Sequence, residues 1–404
     1  MKSAAPGRRD FLKQLGFASA GLVAGTAAYA QAAPTPSTDA GSAANTVPFF
    51  GAHQAGITTP AQKHIYFLVA DLHSTDIAAI REVFQLWTAY AANLTRGEHV
   101  KPYGSNVWLP PTDTGEADSL NPHNLTLTFG VSPSFFDKLG IAHLRPAALR
   151  DLPHFPRDQL KAHYSGGDLC IQACADDPQV AFHAVRNLVR AARLHITMRW
   201  SQSGFNSFDH RADTPRNLFA FKDGTANLSG DALDEVVWSN GDDWLKGGTY
   251  LIARRIQMFL ETWDRTSLAE QHNTFGRLRD SGAPMGQEKE FDTIDLSLKD
   301  EKGEPAMPED SHVHLAHKTG RNILRRSFSY ASGIDDKGQF DAGLLFISFQ
   351  KDPASFIEIQ NAFGNIDKMN EYITHIGSGL FACFPGVRDE SDYLGKALFE
   401  QIKS

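Results

Sequence analysis

The chain has 404 residues, a formal net charge of -8, 42% hydrophobic and 21% charged content. That is enough for two domains with a sizeable core, and the acidic balance speaks against a general nucleic-acid binder, which would carry a basic stripe. Three cysteines cannot build a disulfide framework, and no apolar run beyond residue 30 is long enough to span a bilayer.

In chain order, Gly7-Arg8-Arg9-Asp10-Phe11-Leu12-Lys13 precedes an apolar, Gly/Ala-rich stretch over 15–28, and Ala28-Tyr29-Ala30 is a small-x-small cleavage site. This pattern predicts a twin-arginine (Tat) signal peptide over 1–30. The Tat route carries folded proteins, so the expectation is a periplasmic mature chain starting near Gln31 with a cofactor acquired in the cytoplasm. Residues 31–60, rich in Ala, Pro, Ser, Thr and Gly, predict a flexible lead-in.

The apolar run 64–70 reads as a strand. Ile77, Ile80, Val83, Phe84, Trp87 and Tyr90 place a helix over 75–93, with Ser74 or Thr75 as N-cap. Alternation in 125–129 and the run 168–175 predict two further strands. Asp177-Pro178 opens a helix to about 192, and 194–201 is extended. The order β-α-β-β-α-β is that of a ferredoxin-like unit. The second half repeats it: a strand over 248–259, a helix from 264 through 275, strands over 321–330 and 344–349, a helix over 353–363, and a strand over 379–384. The expected architecture is α+β, with an N-terminal ferredoxin-like domain at 61–205 and a C-terminal one at 206–404.

Two segments about ninety residues apart carry the chemistry. Ala220-Phe221-Lys222-Asp223-Gly224-Thr225-Ala226-Asn227 sets a carboxylate in a tight turn behind the apolar Leu218 and Phe219. Asp-Gly is ordinarily a surface turn, but partial burial would suit Asp223 to proton transfer. His312, His314 and His317 lie close together in the second segment, where both a single ligand and a zinc site stay open. The zinc reading lacks H-E-x-x-H and paired C-x-x-C motifs. Arg325 and Arg326 follow in an apolar strand-like run, where neighbours face opposite ways. Cys170, Cys174 and Cys383 read as buried small apolar residues.

These residues, together with 167–175, Gly247-Gly248-Thr249-Tyr250-Leu251, 263–271 and Asp392-Tyr393-Leu394-Gly395, carry a resemblance. From about residue 60 to its end the chain resembles the dye-decolourising peroxidases, in particular their Tat-exported EfeB-type (deferrochelatase/peroxidase) branch. The resemblance implies two ferredoxin-like domains of the dimeric α+β barrel type, with one haem b in the C-terminal domain. It implies Asp223 as distal acid, followed by Gly224 and Thr225, in a G-x-x-D-G motif whose first glycine is here Ala220. His312 becomes the iron ligand, with His314 where the family usually has arginine. The distal arginine falls on Arg325 or Arg326, with Arg325 favoured and Arg326 left to a haem propionate. A carboxylate, Asp389 or Asp392, should hold the other nitrogen of His312.

The implied substrates are hydrogen peroxide and an electron donor. Bulky donors would be oxidised at the surface through Trp200, Trp238, Trp244, Trp263, Tyr250 or Tyr330. Components of an iron-uptake permease and a second copy of the chain are implied partners. The alternatives are a non-catalytic periplasmic haem- or iron-binding component and a haem-free α+β binding protein.

Overall fold

A computed structural model describes residues 45–210, 213–241 and 243–402. The expected signal peptide lies outside the described residues. In chain order the elements are β1 (His64–Leu72), α1 (Ile77–Leu94), β2 (Thr126–Val131), α2 (Pro133–Lys138), β3 (Leu169–Ala175), α3 (Pro178–Ala192) and β4 (Ile196–Phe205). Then follow α4 (Ala232–Val237), β5 (Thr249–Met258), α5 (Leu260–Trp263), α6 (Leu268–Phe275), α7 (His312–Lys318), β6 (Leu324–Arg325) and β7 (Phe328–Ile334). Last come β8 (Phe340–Gln350), α8 (Ala354–Phe363), β9 (Ile373–Cys383) and α9 (Lys396–Phe399).

Both halves have the expected β-α-β-β-α-β order. In the first, β2, β3, β1 and β4 lie side by side, all antiparallel. In the second, β9, β5, β8 and β7 do the same. Two short antiparallel seams join them, β2 to β9 through Gly130 and Cys383, and β4 to β7 through Phe205 and Ser329. The eight strands thereby close into a barrel, with β6 attached at β8. A barrel of eight strands is just wide enough for side chains to fill it.

Alternation decides which residues fill it. Ile65, Phe67, Val69, Cys170, Cys174, Leu251, Leu345 and Phe381 point inward. Leu68, Ile171 and Ala173 point outward into the layer under α1 and α3. This is why β3 is buried along its whole length. All three cysteines are free and buried, as expected.

Several expectations are corrected. The N-cap of α1 is Asp76, whose side chain accepts from the Ala78 and Ala79 amides; Ser74 instead accepts from the Asp76 amide. The helix expected from 264 through 275 starts at Leu268 under the N-cap Ser267 and ends at Phe275, and a separate short helix, α5, precedes it. The strand expected over 321–330 starts at Leu324 and is interrupted at Arg326 and Ser327, with the same register on β8 before and after. Residues 45–60 are not a flexible lead-in. Ile57 is buried, and the Gln54 amide donates to the Phe129 and Phe384 carbonyls, so this segment packs across the junction of both halves.

Candidate active site

A cavity of about 430 Å³ lies against the outer face of the second half of the barrel. Even-numbered residues of β5 and β8, Arg254, Ile256, Leu344 and Phe346, line it, since their odd-numbered neighbours fill the barrel. Helices α7 and α8 form another wall with His312, Ala316 and Phe363, and the turn around Asp223 together with Arg325 forms a third.

His312 is the first residue of α7, after the N-cap Ser311. Its Nδ1 lies 2.7 Å from Asp367 Oδ2, and the Phe363 ring stacks on it at 4.2 Å. A carboxylate can only accept, so Nδ1 carries the proton and Nε2 is the nitrogen left for a ligand. Asp367 is itself fixed, since its Oδ1 accepts from the Met369 amide and its side chain is 3% exposed. The acid expected at Asp389 or Asp392 is therefore Asp367. Asp389 and Asp392 bond within their own surface turn, to Ser391 and to the Arg388 amide.

On the turn, Asn217 Oδ1 accepts from the Phe219 and Phe221 amides, and the Asp223 amide donates to the Pro215 carbonyl. Ala220 is held at φ 67°, a left-handed conformation that glycine adopts more cheaply. Gly224, at φ 123°, shapes the turn and is not among the lining residues, whereas Thr225 is. The Asp223 side chain is 17% exposed, and its Oδ1 receives a hydrogen bond of 3.1 Å from Arg325 Nη1. Behind it Glu290 takes an ion pair from Lys222 and a 3.0 Å hydrogen bond from Thr225. Burial alone would raise the Glu290 carboxyl; the hydrogen bonds of Lys222, Thr214 and Thr225 outweigh it and hold the pKa below the ordinary range.

Arg326 departs from expectation. It faces the other way, donating to the Thr59 and Pro60 carbonyls and to Gln62. Its role is to fasten the 45–62 segment, and it does not line the cavity. His314 is buried on α7 away from the lining, and no group of three or more His, Cys, Asp or Glu gathers for a metal among the described residues. The zinc reading finds no support.

Three lining or supporting residues carry no signal in the sequence. Arg254 pairs with Asp158 in a buried ion pair, with exposures of 1% and 0%. His375 also lines the cavity, and burial, followed by the charges of Arg254 and His312, pushes its pKa well below the usual value.

The residues present fit a haem. The volume is within the range of cofactor pockets, about 300–1,000 Å³, and the lining mixes Met258, Phe275, Phe346 and Phe356 with Arg254, Arg277 and Arg321. The buried Arg254 Nε has no partner among the described residues, a donor suited to an anionic edge. An imidazole oriented by a carboxylate is a suitable ligand for haem iron.

A family model described as Dyp-type peroxidase, N-terminal, matches residues 54–206, and one described as Dyp-type peroxidase, C-terminal, matches residues 214–388. The chain belongs to the Dyp-type peroxidase family. It is thus a haem-dependent peroxidase by descent, and haem is its cofactor. A curated relative named Deferrochelatase from Yersinia pestis is 37% identical over 423 residues, covering 99% of this chain and 96% of that protein. One from Escherichia coli K12, with the same name, is 38% identical over 97% of each chain. The crystal structure of a DyP-type peroxidase from Streptomyces coelicolor matches with a TM-score of 0.82 at 36% identity, covering 88% of this chain and 97% of that one. Ferric DtpA from Streptomyces lividans gives the same values.

The six aromatic residues expected to pass electrons to the surface, Trp200, Trp238, Trp244, Trp263, Tyr250 and Tyr330, are all buried, from 0% exposure at Tyr330 to 6% at Trp238. Trp108, by contrast, is 91% exposed.

Proposed function

We propose that this chain is a Tat-exported, periplasmic haem b peroxidase that reduces hydrogen peroxide and oxidises dyes or similar organic donors. The observation that carries the assignment of roles is that His312 with Asp367, and Asp223 with Arg325, line one cavity from different walls. His312 Nε2 would ligate the haem iron, with Asp367 keeping that nitrogen basic and the ring oriented. Bound haem supplies the redox centre that passes two electrons to peroxide.

The protein handles the protons. Asp223 Oδ1 is engaged by Arg325, so Oδ2 is the atom free to take a proton from one peroxide oxygen and return it to the other. Arg325 Nη1 holds the carboxylate in place, and its guanidinium stabilises negative charge on the departing oxygen. Each peroxide consumes two electrons and two protons and leaves as two waters. Thr225 and Glu290 hold the back of the turn, while the apolar walls exclude bulk water.

A second reading is favoured by the name of the curated relatives, Deferrochelatase. Here the same pocket releases iron from haem for an uptake system, with permease components as partners. The deciding experiment is an absorption spectrum of the purified protein before and after peroxide, followed by product analysis. Haem peroxidase activity predicts a haem absorption band that changes with peroxide and bleaching of a dye. Iron release predicts an intact porphyrin free of iron. Replacing His312 by Ala should abolish or strongly weaken haem binding, and unchanged occupancy would move the ligand elsewhere. Detection of the exported chain in the periplasmic fraction, lost when Arg8 and Arg9 become Lys, tests the location.

A further inference from the structure

β6 is two residues long and pairs with β8 on one side only. In an antiparallel ladder successive residues turn their N–H and C=O groups to alternate sides. The Arg326 amide donates to the Ile347 carbonyl of β8, so the backbone groups of Arg325 point to the open edge. Both are taken by one side chain. Asn227 Oδ1 accepts from the Arg325 amide at 3.0 Å, and Asn227 Nδ2 donates to the Arg325 carbonyl at 2.7 Å. The primary amide thus imitates a neighbouring strand at a single residue. Asn227 sits on the same loop as Asp223, with its own amide bonded to the Gly224 carbonyl at 2.8 Å. The loop that carries the acid is therefore tied directly to the backbone that carries the guanidinium.

We infer that Asn227 is a positioning residue that sets the reach of Arg325 to Asp223. This rests on the role proposed above for the Arg325–Asp223 pair. Asn227 is exposed, so water competes for its hydrogen bonds and their net contribution to stability is small. What the pair fixes is direction: a planar amide that presents one N–H and its C=O along one edge meets a backbone C=O and N–H only in one register. Loss of it lets the two-residue strand drift, and a misplacement of about 1 Å can cost on the order of a hundredfold in a reaction step.

The test uses the full haem-loaded chain with Asn227→Ala, Asn227→Asp, Arg325→Ala and the Asn227→Ala, Arg325→Ala pair. Stopped-flow absorbance reads the second-order rate with hydrogen peroxide. Asn227→Ala should lower it by roughly tenfold while leaving the resting haem spectrum unchanged. Asn227→Asp, which keeps the acceptor and loses the donor, should lie between. Adding Asn227→Ala to Arg325→Ala should cost nothing further, because the positioned group is already gone.

A second readout needs no turnover. Amide hydrogen exchange of peptides covering 322–328 should speed up in Asn227→Ala, with and without haem. Unchanged exchange, or a peroxide rate within twofold of the parent while Arg325→Ala is slow, overturns the inference and leaves the proposed function standing. An unaffected rate in Arg325→Ala overturns the proposed role of Arg325 and the inference with it.

Discussion

At the scale of single residues, the chain shows what a role requires beyond a residue type. A histidine is suited to ligate a metal when its other nitrogen is held, and Asp367 holds that of His312 at 2.7 Å. Replacing Asp367 by Asn removes the charge but keeps an acceptor; haem affinity or turnover should fall about 10–100-fold, measured by titrating haem-free protein with haem. An affinity within twofold of the parent would deny Asp367 that role. Ala220 shows the reverse case, a residue at odds with its backbone. Its φ of 67° costs an L-residue about 1–2 kcal/mol, of which the greater freedom of unfolded glycine returns a part. Ala220 is exposed, so no packing is lost on truncation. Ala220→Gly should therefore stabilise the fold by about 0.5–1 kcal/mol, read as a shift of the urea midpoint at constant slope.

At the scale of elements, periodicity carries a long way and then stops. The strands and helices of both halves follow from alternation and from caps such as Asp177-Pro178, which starts α3 as expected. The break after Arg325 does not, because nothing in Ile323-Leu324-Arg325-Arg326 marks it. The register on β8 is the same on both sides, Leu324 against Phe349 and Phe328 against Leu345, so the interruption is confined to Arg326 and Ser327, where the Arg326 side chain turns to the 45–62 segment. The composition of 45–60 suggests a tail, yet its fate is decided by Gln54 and Arg326, whose partners are hundreds of residues away. The motifs singled out Asp223, His312 and Arg325, which the fold brings to one cavity. They did not single out Asp367, Arg254 and Asp158, since burial and pairing are properties of the fold.

The loop between α1 and β2 gives a prediction at the same scale. Glu116 binds it to α3 through His183, at 2.9 Å, and Arg186. Burial alone would raise the Glu116 carboxyl, but hydrogen bonds from His183, Thr114 and Arg186 hold it down to about 2, against an ordinary 4.5. A folded value below the unfolded one means this attachment contributes fully above about pH 4.5 and is lost as pH falls toward 2. Glu116→Gln should lower the melting temperature most above pH 4.5, and the gap to the parent should close on acidification. A gap that is constant across that range would refute the account.

At the scale of the whole molecule, the pairing that builds the barrel wall also shapes the cavity. The second half is held together at its centre where β5 meets β8 along eight paired residues, while on its other edge β5 shifts register against β9 between Arg255 and Ile256. Beside that irregularity the Ile256 carbonyl lies against Gly343 of β8, where any Cβ would collide with it and crowd the Tyr330 hydroxyl. Backbone cannot yield there as a flexible side chain could, since both strands are held by their outer neighbours. Ile256 and Leu344, which face each other in this pairing, are both in the cavity wall. Gly343→Ala should therefore cost more than about 3 kcal/mol, visible as a large fall in melting temperature. It should also weaken haem binding at temperatures where the variant is still folded, because relieving the clash moves the wall itself. A variant that loses stability but binds haem with parental affinity would separate the two, and would show that the cavity is set by α7 and α8 alone.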